Sequence, residues 1–223
     1  MMARNHDGPY GLSDEWRRNA AYHRTDFEVA KSICSDITQL DQFKPDTDIL
    51  RSFGLDTSRQ LQILDFGAGM LRNTVGLLDM SPNWAVMAHD SEVMLARGQK
   101  LFWKQLNHPR NRFRWVLEPS YTKVSVNYRS FDAIVCIYVL QHLDPDVLAK
   151  FLEDSRKMTK TLCVYGRRAL DDLENRPKNW TDAWGIIYQQ WEPAWFFDKA
   201  GQPTVDRYSG EATDHFGAVL KPR

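Results

Sequence analysis

An α/β fold is what this sequence predicts, with a doubly wound, mostly parallel sheet and helices on both of its faces. Three observations carry that expectation. Short apolar runs of strand length alternate along the chain with segments whose apolar residues recur at helical intervals. Strand alternating with helix implies parallel strands joined by right-handed crossovers. The stretch "LDFGAGMLRN", Leu64 to Asn73, places two glycines at the end of one such run, and ligands in sheets of this kind bind beyond the carboxyl ends of the strands.

The elements follow in chain order. From Ser13, "SDEWRRNAAYHRTDFEVAKSICSDITQL" sets Trp16, Ala20, Phe27, Ala30, Cys34 and Ile37 at intervals of three, four or seven, which predicts an amphipathic helical segment with a break near Thr25. "FKPDTD" reads as a turn. Buried strands are expected at Leu61–Phe66, Trp84–Asp90, Arg112–Glu118, Phe131–Leu140 and Thr161–Gly166. Helices are expected between them in "MLRNTVGLLDM", "SEVMLARGQKLFWKQL" and "DPDVLAKFLEDSRKM". The last of these opens with Asp144 as a cap and Pro145 where its missing N–H is harmless. The connection "PSYTKVSVNYRS" carries less helical signal. After Gly166, Trp180, Trp184, Tyr188, Trp191 and Trp195 fall near helical spacing, although Pro193 should end that helix before Trp195. "AWFFD", "KAGQ" and "PTVDRY" then read as a hairpin and "HFGAVLK" as a final strand.

Composition bounds the rest. The chain has 223 residues, 43% of them apolar, enough for one large core. No linker or repeat divides it, so a single domain is expected. Within it, residues 1–60 are expected as a helical N-terminal extension or lid, 61–166 as a cofactor-binding core, and 167–223 as a Trp-rich part that completes the sheet. Lysine plus arginine balances aspartate plus glutamate at 29 each, so no bulk field draws the protein to duplex nucleic acid or an anionic membrane. Cys34, Cys136 and Cys163 are odd in number, far apart and in apolar surroundings, which reads as buried thiols in a reducing compartment with no metal-ligand spacing. No window approaches the roughly 20 apolar residues of a membrane span, and the polar start "MMARNHDGPYG" is unlike a secretion signal. The expected location is the cytoplasm.

Three readings compete for the glycine turn. It is a strand-to-helix turn that needs glycine only for geometry, or a dinucleotide site, or a site for a cationic cofactor. A dinucleotide site requires G-x-G-x-x-G with pyrophosphate over a helix N-terminus. Here the sixth position is Arg72, and Asp65 stands where its charge opposes phosphate. S-adenosylmethionine carries an ammonium and a sulfonium and no phosphate, so a carboxylate beside the turn attracts it. At the end of the second strand, Asp90 offers a carboxylate able to accept hydrogen bonds from both ribose hydroxyls. Its alternative role is a helix N-cap, with Ser91 as the rival cap.

"ILDFGAGMLRN", "VMAHDS" and "FDAIVCIYVLQHLDPDVLAKFLED" resemble, in order and at matching spacing, the first, second and fourth motifs of class I S-adenosylmethionine-dependent methyltransferases of the small-molecule type. The likeness runs from about Leu61 to Gly166, and "HFGAVLK" is similar to the last strand of that fold. It implies a Rossmann-like, seven-stranded sheet with antiparallel C-terminal strands. It also implies that Asp65, Phe66, Gly67, Ala68 and Gly69 hold the methionyl end of the cofactor, that Asp90 and Ser91 lie at the ribose, and that the backbone around Ile137 and Tyr138 lines the cofactor. Glu118 or Ser120 is placed to face the adenine. Tyr22, in the segment where this family often has a lid, is a candidate to close over the cofactor, with plain helix packing as the alternative. One position departs from the family, which commonly has a third glycine where this chain has Leu71. A branched side chain there either crowds the methionyl group or packs under the first helix.

Methyl transfer from a sulfonium is an in-line displacement, so much of the catalysis can come from alignment in a water-poor site. A base is needed only for a protonated acceptor. His142 is the first candidate and Tyr138 the second. Amino-methyltransferases of DNA carry a [DNS]-P-P-[YF] turn after the fourth strand. "CIYV" stands there instead, which leaves a small metabolite as the leading acceptor, with S-adenosylhomocysteine as co-product. The tryptophans from Trp180 to Trp195 either wall an aromatic or cationic acceptor or pack against the sheet. The rival functions are a non-catalytic module that keeps the fold to bind a protein partner, and another S-adenosylmethionine reaction such as aminopropyl transfer or cofactor cleavage.

Overall fold

The computed structural model describes residues 24–34, 36–125, 130–140, 143, 145–167, 191–194, 204–205, 212–213 and 215–222. Five strands run in parallel: β1 (Leu61–Phe66), β2 (Trp84–His89), β3 (Trp115–Leu117), β4 (Ala133–Ile137) and β5 (Leu162–Arg167). Beyond them lie β6 (Trp191–Ala194) and the last strand, β9 (His215–Pro222), which pairs antiparallel with both β5 and β6. The seven-stranded sheet has the order β3-β2-β1-β4-β5-β9-β6. The order reverses between β1 and β4, and sheets of this kind bind ligands at such a reversal, beyond the carboxyl ends of the strands.

Both faces of this sheet are buried, because successive strand residues feed opposite layers. Leu61 and Ile63 of β1, Val86 and Ala88 of β2, and Val135 and Ile137 of β4 face one core. That core is closed by α1 (Asp26–Ile33), α2 (Thr47–Ser52), α3 (Arg72–Met80), α4 (Glu92–Leu101) and α5 (Trp103–Leu106). Leu64 and Phe66 of β1, with Ile134 and Cys136 of β4, face the other core, under α6 (Tyr121–Ser125) and α7 (Pro145–Met158). Phe66 stacks on Phe151 of α7 with ring centroids 4.2 Å apart.

Where the chain breaks and restarts follows local chemistry. The break expected near Thr25 is the start of α1: the Thr25 hydroxyl accepts from the Glu28 amide, and the Glu28 carboxylate accepts from the Thr25 amide, a reciprocal cap. The third connection, weak in helical signal, holds the short helix α6. Three expectations are corrected. β3 is confined to Trp115–Leu117, because Phe113 sits in left-handed backbone at φ 70° and the turn before it cannot join the ladder. Trp191 opens the edge strand β6 instead of continuing a helix, and Pro193 is tolerated there because an edge strand has one side free of ladder bonds. The two short strands β7 (Thr204–Val205) and β8 (Ala212–Thr213) pair with each other, so within "PTVDRY" the described residues find a partner downstream, while residues 195–198 of the expected hairpin lie outside the described residues. Asp144, the expected cap of α7, and the tryptophans from Trp180 to Trp184 lie outside the described residues.

The departure at Leu71 has a structural resolution. Leu71 caps α3 in left-handed backbone, φ 64° and ψ 12°, which costs about 1–2 kcal/mol for a residue with a Cβ. Its side chain is fully buried in the first core, and a Cβ built on Gly98 of α4 would lie 2.6 Å from Leu71 Cγ. The leucine therefore points beneath α3, onto a glycine of the next helix, and not into the hollow above the turn. Two outcomes follow for chemical denaturation. Leu71→Gly relieves the strain yet lowers stability by about 2 kcal/mol, because the loss of a buried leucine outweighs it. Gly98→Ala is destabilising by a similar amount and is not rescued by Leu71→Gly, since the added methyl also meets the Met70 carbonyl carbon at 2.5 Å.

Candidate functional site

The turn after β1 is pinned to the end of β2. The amides of Gly67 and Ala68 both donate to the His89 carbonyl, at 2.8 and 3.0 Å. The Gly69 amide donates to Asp90 Oδ2 at 2.8 Å, and Asp90 Oδ1 accepts from the Ser91 amide at 2.7 Å. Gly67 and Gly69 hold φ values of 73° and 53°, a region open to glycine. A different neighbour approaches each. A Cβ on Gly67 would lie 2.1 Å from Val139 Cγ2, so the turn after β4 presses on this glycine. Gly69 is open by comparison, with only Ile33 Cδ1 of α1 and Met94 Cε of α4 at 3.9 Å. Gly67 thus serves packing, and Gly69 borders a space between two helices.

Two carboxylates meet at this turn. Asp65 is 3% exposed and points to the same face as Ile63, where Thr74 Oγ1 of α3 donates to its Oδ2 at 2.6 Å. Burial pushes its carboxyl up to about 7; the Thr74 hydroxyl opposes the rise, and the nearby Asp90 charge adds to it. Burial raises Asp90 as well, against the Gly69 and Ser91 amides that favour its ionised form. Two neighbouring carboxylates held up in this way gain from a nearby cation, which would favour the ionised form of each. Asp90 is held by the Gly69 and Ser91 amides and also by the Ser91 side chain, and because a carboxylate offers about four acceptor positions, capacity remains for a hydroxyl group. Ser91 is the N-cap residue of α4 but makes no side-chain cap bond.

The other expected site residues are placed as follows. Phe66 and Ala68 turn their side chains into the two cores, so only their backbone borders the turn. Ile137 is buried against the first core at the end of β4. Tyr138 follows it in left-handed backbone, φ 59°, with its ring edge-on to Tyr165 of β5 at 5.3 Å. Burial, and then Tyr165, raise the Tyr138 hydroxyl well above its ordinary value, which makes it a proton holder and hydrogen-bond donor and not a base. His142 and Tyr22 lie outside the described residues. Glu118 is tied down at the end of β3: its carboxylate accepts from the Ser120 amide, and its carbonyl accepts from His89 Nδ1 at 2.7 Å.

Sequence reasoning missed five contributors. Thr74, Ile33, Met94 and Val139 touch the turn or its carboxylate only through the fold. Arg72, weighed only as the sixth position of a dinucleotide motif, is buried at the start of α3. It grips the Asp46 carboxylate through both terminal nitrogens, at 2.8 and 2.5 Å, and also donates to the Lys44 carbonyl. This pair anchors the chain before β1 over the site and leaves Arg72 unavailable to a phosphate. Among the described residues, no group of His, Cys, Asp or Glu could hold a metal ion.

The buried carboxylate makes stability depend on pH. In the folded chain Asp65 keeps its proton up to about pH 7, whereas unfolded it ionises near 3.8. Its destabilising effect is absent below about pH 4, grows between 4 and 7, and then levels off at up to about 4 kcal/mol. Asp65→Asn should therefore raise the unfolding free energy at pH 8 and leave it little changed at pH 4, as read by urea titration at the two pH values.

Residues 63–161 match the family model for a methyltransferase domain. No curated protein sequence matches the chain. Among solved structures, a protein from Pyrococcus horikoshii OT3 is similar over 96% of this chain and 100% of its own, at 12% identity and a TM-score of 0.61. A SAM-dependent methyltransferase from Methanosarcina mazei is similar over 78% of this chain and 96% of its own, at 13% identity and a TM-score of 0.55. An O-methyltransferase family 2 protein from Planctomyces limnophilus, solved in complex with apigenin, is similar over 89% of this chain and 61% of its own, at 13% identity and a TM-score of 0.59. At such identities the likeness establishes the fold. The sheet order and the reversal between β1 and β4 agree with that fold, a Rossmann-like α/β sheet, and residues 63–161 resemble a methyltransferase domain.

Proposed function

We propose that this protein transfers a methyl group from S-adenosylmethionine to a small-molecule acceptor. The observation that carries this reading is the pairing of two carboxylates, Asp65 and Asp90, at the ends of adjacent strands beside Gly69. The residues present fit the cofactor: a buried carboxylate with a raised pKa favours an ammonium partner, a second carboxylate has an acceptor position for a ribose hydroxyl, and the half-buried Gly69 backbone lies beside the second. When bound, S-adenosylmethionine supplies an electrophilic methyl group on a sulfonium.

The chain's own part is binding and orientation. Asp65 attracts the amino acid end, Gly67, Gly69 and the backbone of Phe66 and Ala68 shape its seat, Asp90 and the Ser91 amide fix the sugar side, and Ile137 closes the floor. Ile33 and Met94 flank Gly69 and add apolar surface beside the turn. Tyr138, protonated and braced by Tyr165, stands at the end of β4 as a donor to the acceptor molecule. His142 is our candidate base for an acceptor that arrives protonated, and Tyr22 our candidate lid residue. The small-molecule class is supported by the missing [DNS]-P-P-[YF] turn and by the fold's likeness to an O-methyltransferase solved with apigenin. A cytoplasmic location suits the three free thiols of Cys34, Cys136 and Cys163. Among the described residues no helix is long and apolar enough to cross a membrane.

Calorimetry with S-adenosylmethionine tests the reading. Asp90→Ala should weaken binding about 10- to 100-fold, the usual effect of removing a charged hydrogen-bond acceptor; an absence of binding to the unaltered chain at millimolar cofactor would overturn the assignment. Affinity should also rise about 5- to 10-fold from pH 6 to 7.5 as Asp65 ionises, a dependence that Asp65→Asn removes. Release of S-adenosylhomocysteine with a methylated acceptor distinguishes methyl transfer from aminopropyl transfer or cofactor cleavage.

A further inference from the structure

The stretch from Val93 to Leu117 contains Arg97, Lys100, Lys104, Arg110, Arg112 and Arg114 and no acidic residue, in a chain whose charges otherwise balance. Among the described residues the large apolar side chains left exposed are Trp103 at 56%, Phe113 at 89% and Val116 at 53%, and all three fall within the same stretch. Charge and exposed aromatic surface are independent properties of a sequence, and their coincidence here calls for a partner that uses both.

The region is one compact knot. Asn107 Nδ2 donates to the Trp103 carbonyl at 3.0 Å, Asn111 Nδ2 to the Gln105 carbonyl at 2.8 Å, and Trp115 Nε1 to the Leu106 carbonyl at 2.8 Å. Arg114 is spent on structure, donating to the carbonyls of Leu78, Ser81 and Trp84. Arg97 is held by Asp26 and the Arg24 carbonyl. Four cations remain at the surface. Arg110 lies 3.7 Å from Asp79 and Lys100 lies 4.0 Å from Asp26, both as exposed pairs worth little, while Lys104 and Arg112 have no carboxylate partner among the described residues. The Arg112 guanidinium lies over the Phe113 ring, 5.0 Å from its centroid. Phe113 itself is held in left-handed backbone at φ 70°. Strain at a residue whose ring is 89% exposed is not repaid by core burial.

The knot precedes the amino end of β3, whereas the glycine turn lies at the carboxyl ends of β1 and β2. It is therefore a second surface, at the opposite pole of the sheet from the proposed cofactor site. The geometry points to a docking surface for single-stranded nucleic acid, in which bases stack on Phe113 and Trp103 while Lys100, Lys104, Arg110 and Arg112 contact phosphates. Stacking on aromatic faces along a basic surface is how sequence-tolerant binders hold single strands. An anionic membrane would also meet cations and aromatics, but the guanidinium seated on the Phe113 ring would have to be dragged into the acyl layer with it. Phosphate and base meet that stack without desolvating the charge.

The test is fluorescence anisotropy of labelled 12-nucleotide oligo(U) and oligo(dT) against the full chain. Saturable binding is expected at 50 mM salt, weakening by about 7- to 50-fold at 200 mM, as two to four phosphate contacts on a single strand require. Phe113→Ala should weaken it about 10-fold, and the Lys104→Glu, Arg112→Glu double variant at least as much, while thermal unfolding and S-adenosylmethionine affinity stay unchanged. These residues are exposed, so loss of folding is not an expected confounder, and Trp103→Ala provides a second reading of the stacking contact. No saturation by 100 µM protein, equal affinity in all variants, or binding to phosphatidylserine vesicles in preference to the oligonucleotides would each overturn the proposal.

Discussion

Three backbone amides in a row, those of Gly67, Ala68 and Gly69, are committed to the end of β2, two to the His89 carbonyl and one to the Asp90 carboxylate. This fastening governs the rest of the site. It turns the chain sharply enough that Gly67 and Gly69 need positive φ, brings the Asp90 carboxylate across to β1, and delivers the chain to α3 through a left-handed Leu71. With the Gly69 amide bonded to it, Asp90 is oriented before any ligand arrives, and pre-oriented groups lose less freedom on binding.

The same fastening explains why the site is electrostatically tense. Asp65 shares its face of β1 with Leu61 and Ile63, and a carboxylate there is desolvated, with one hydroxyl from Thr74 in place of water. The fold tolerates this by letting Asp65 hold a proton toward neutral pH. Such a group opposes folding and favours a cation, the usual opposition between stability and function at a binding site. Arg72, the nearest permanent positive charge on α3, is turned away from the turn by its bidentate pair with Asp46 and so leaves that carboxylate only weakly compensated.

Leu71 shows how a departure from a family pattern is absorbed. A glycine at a left-handed turn is the inexpensive solution. This chain keeps the backbone conformation with a leucine, buries the side chain completely, and has its glycine on the facing helix, at Gly98. Space that the leucine side chain occupies is thereby opened on α4. Judged from the sequence, the leucine was equally an obstruction or a packing residue, because the direction of its side chain depends on a helix some 25 residues away in the chain.

What the sequence determined by itself was the parallel core, the glycine turn and its two acidic neighbours. These are recorded in local spacing: alternation sets strand faces, the Thr25 capping pair starts α1, and glycine marks left-handed backbone. Only the tertiary structure decided that Val139 presses on Gly67, that Ile33 and Met94 flank Gly69, that Thr74 is the partner of Asp65 and that Trp191 belongs to an edge strand. Each is a contact between different elements, fixed by how helices and strands pack and not by any pattern within one of them. The exposed, strained Phe113 belongs with these, since a ring in a basic turn reads as buried until a fold exists to leave it outside.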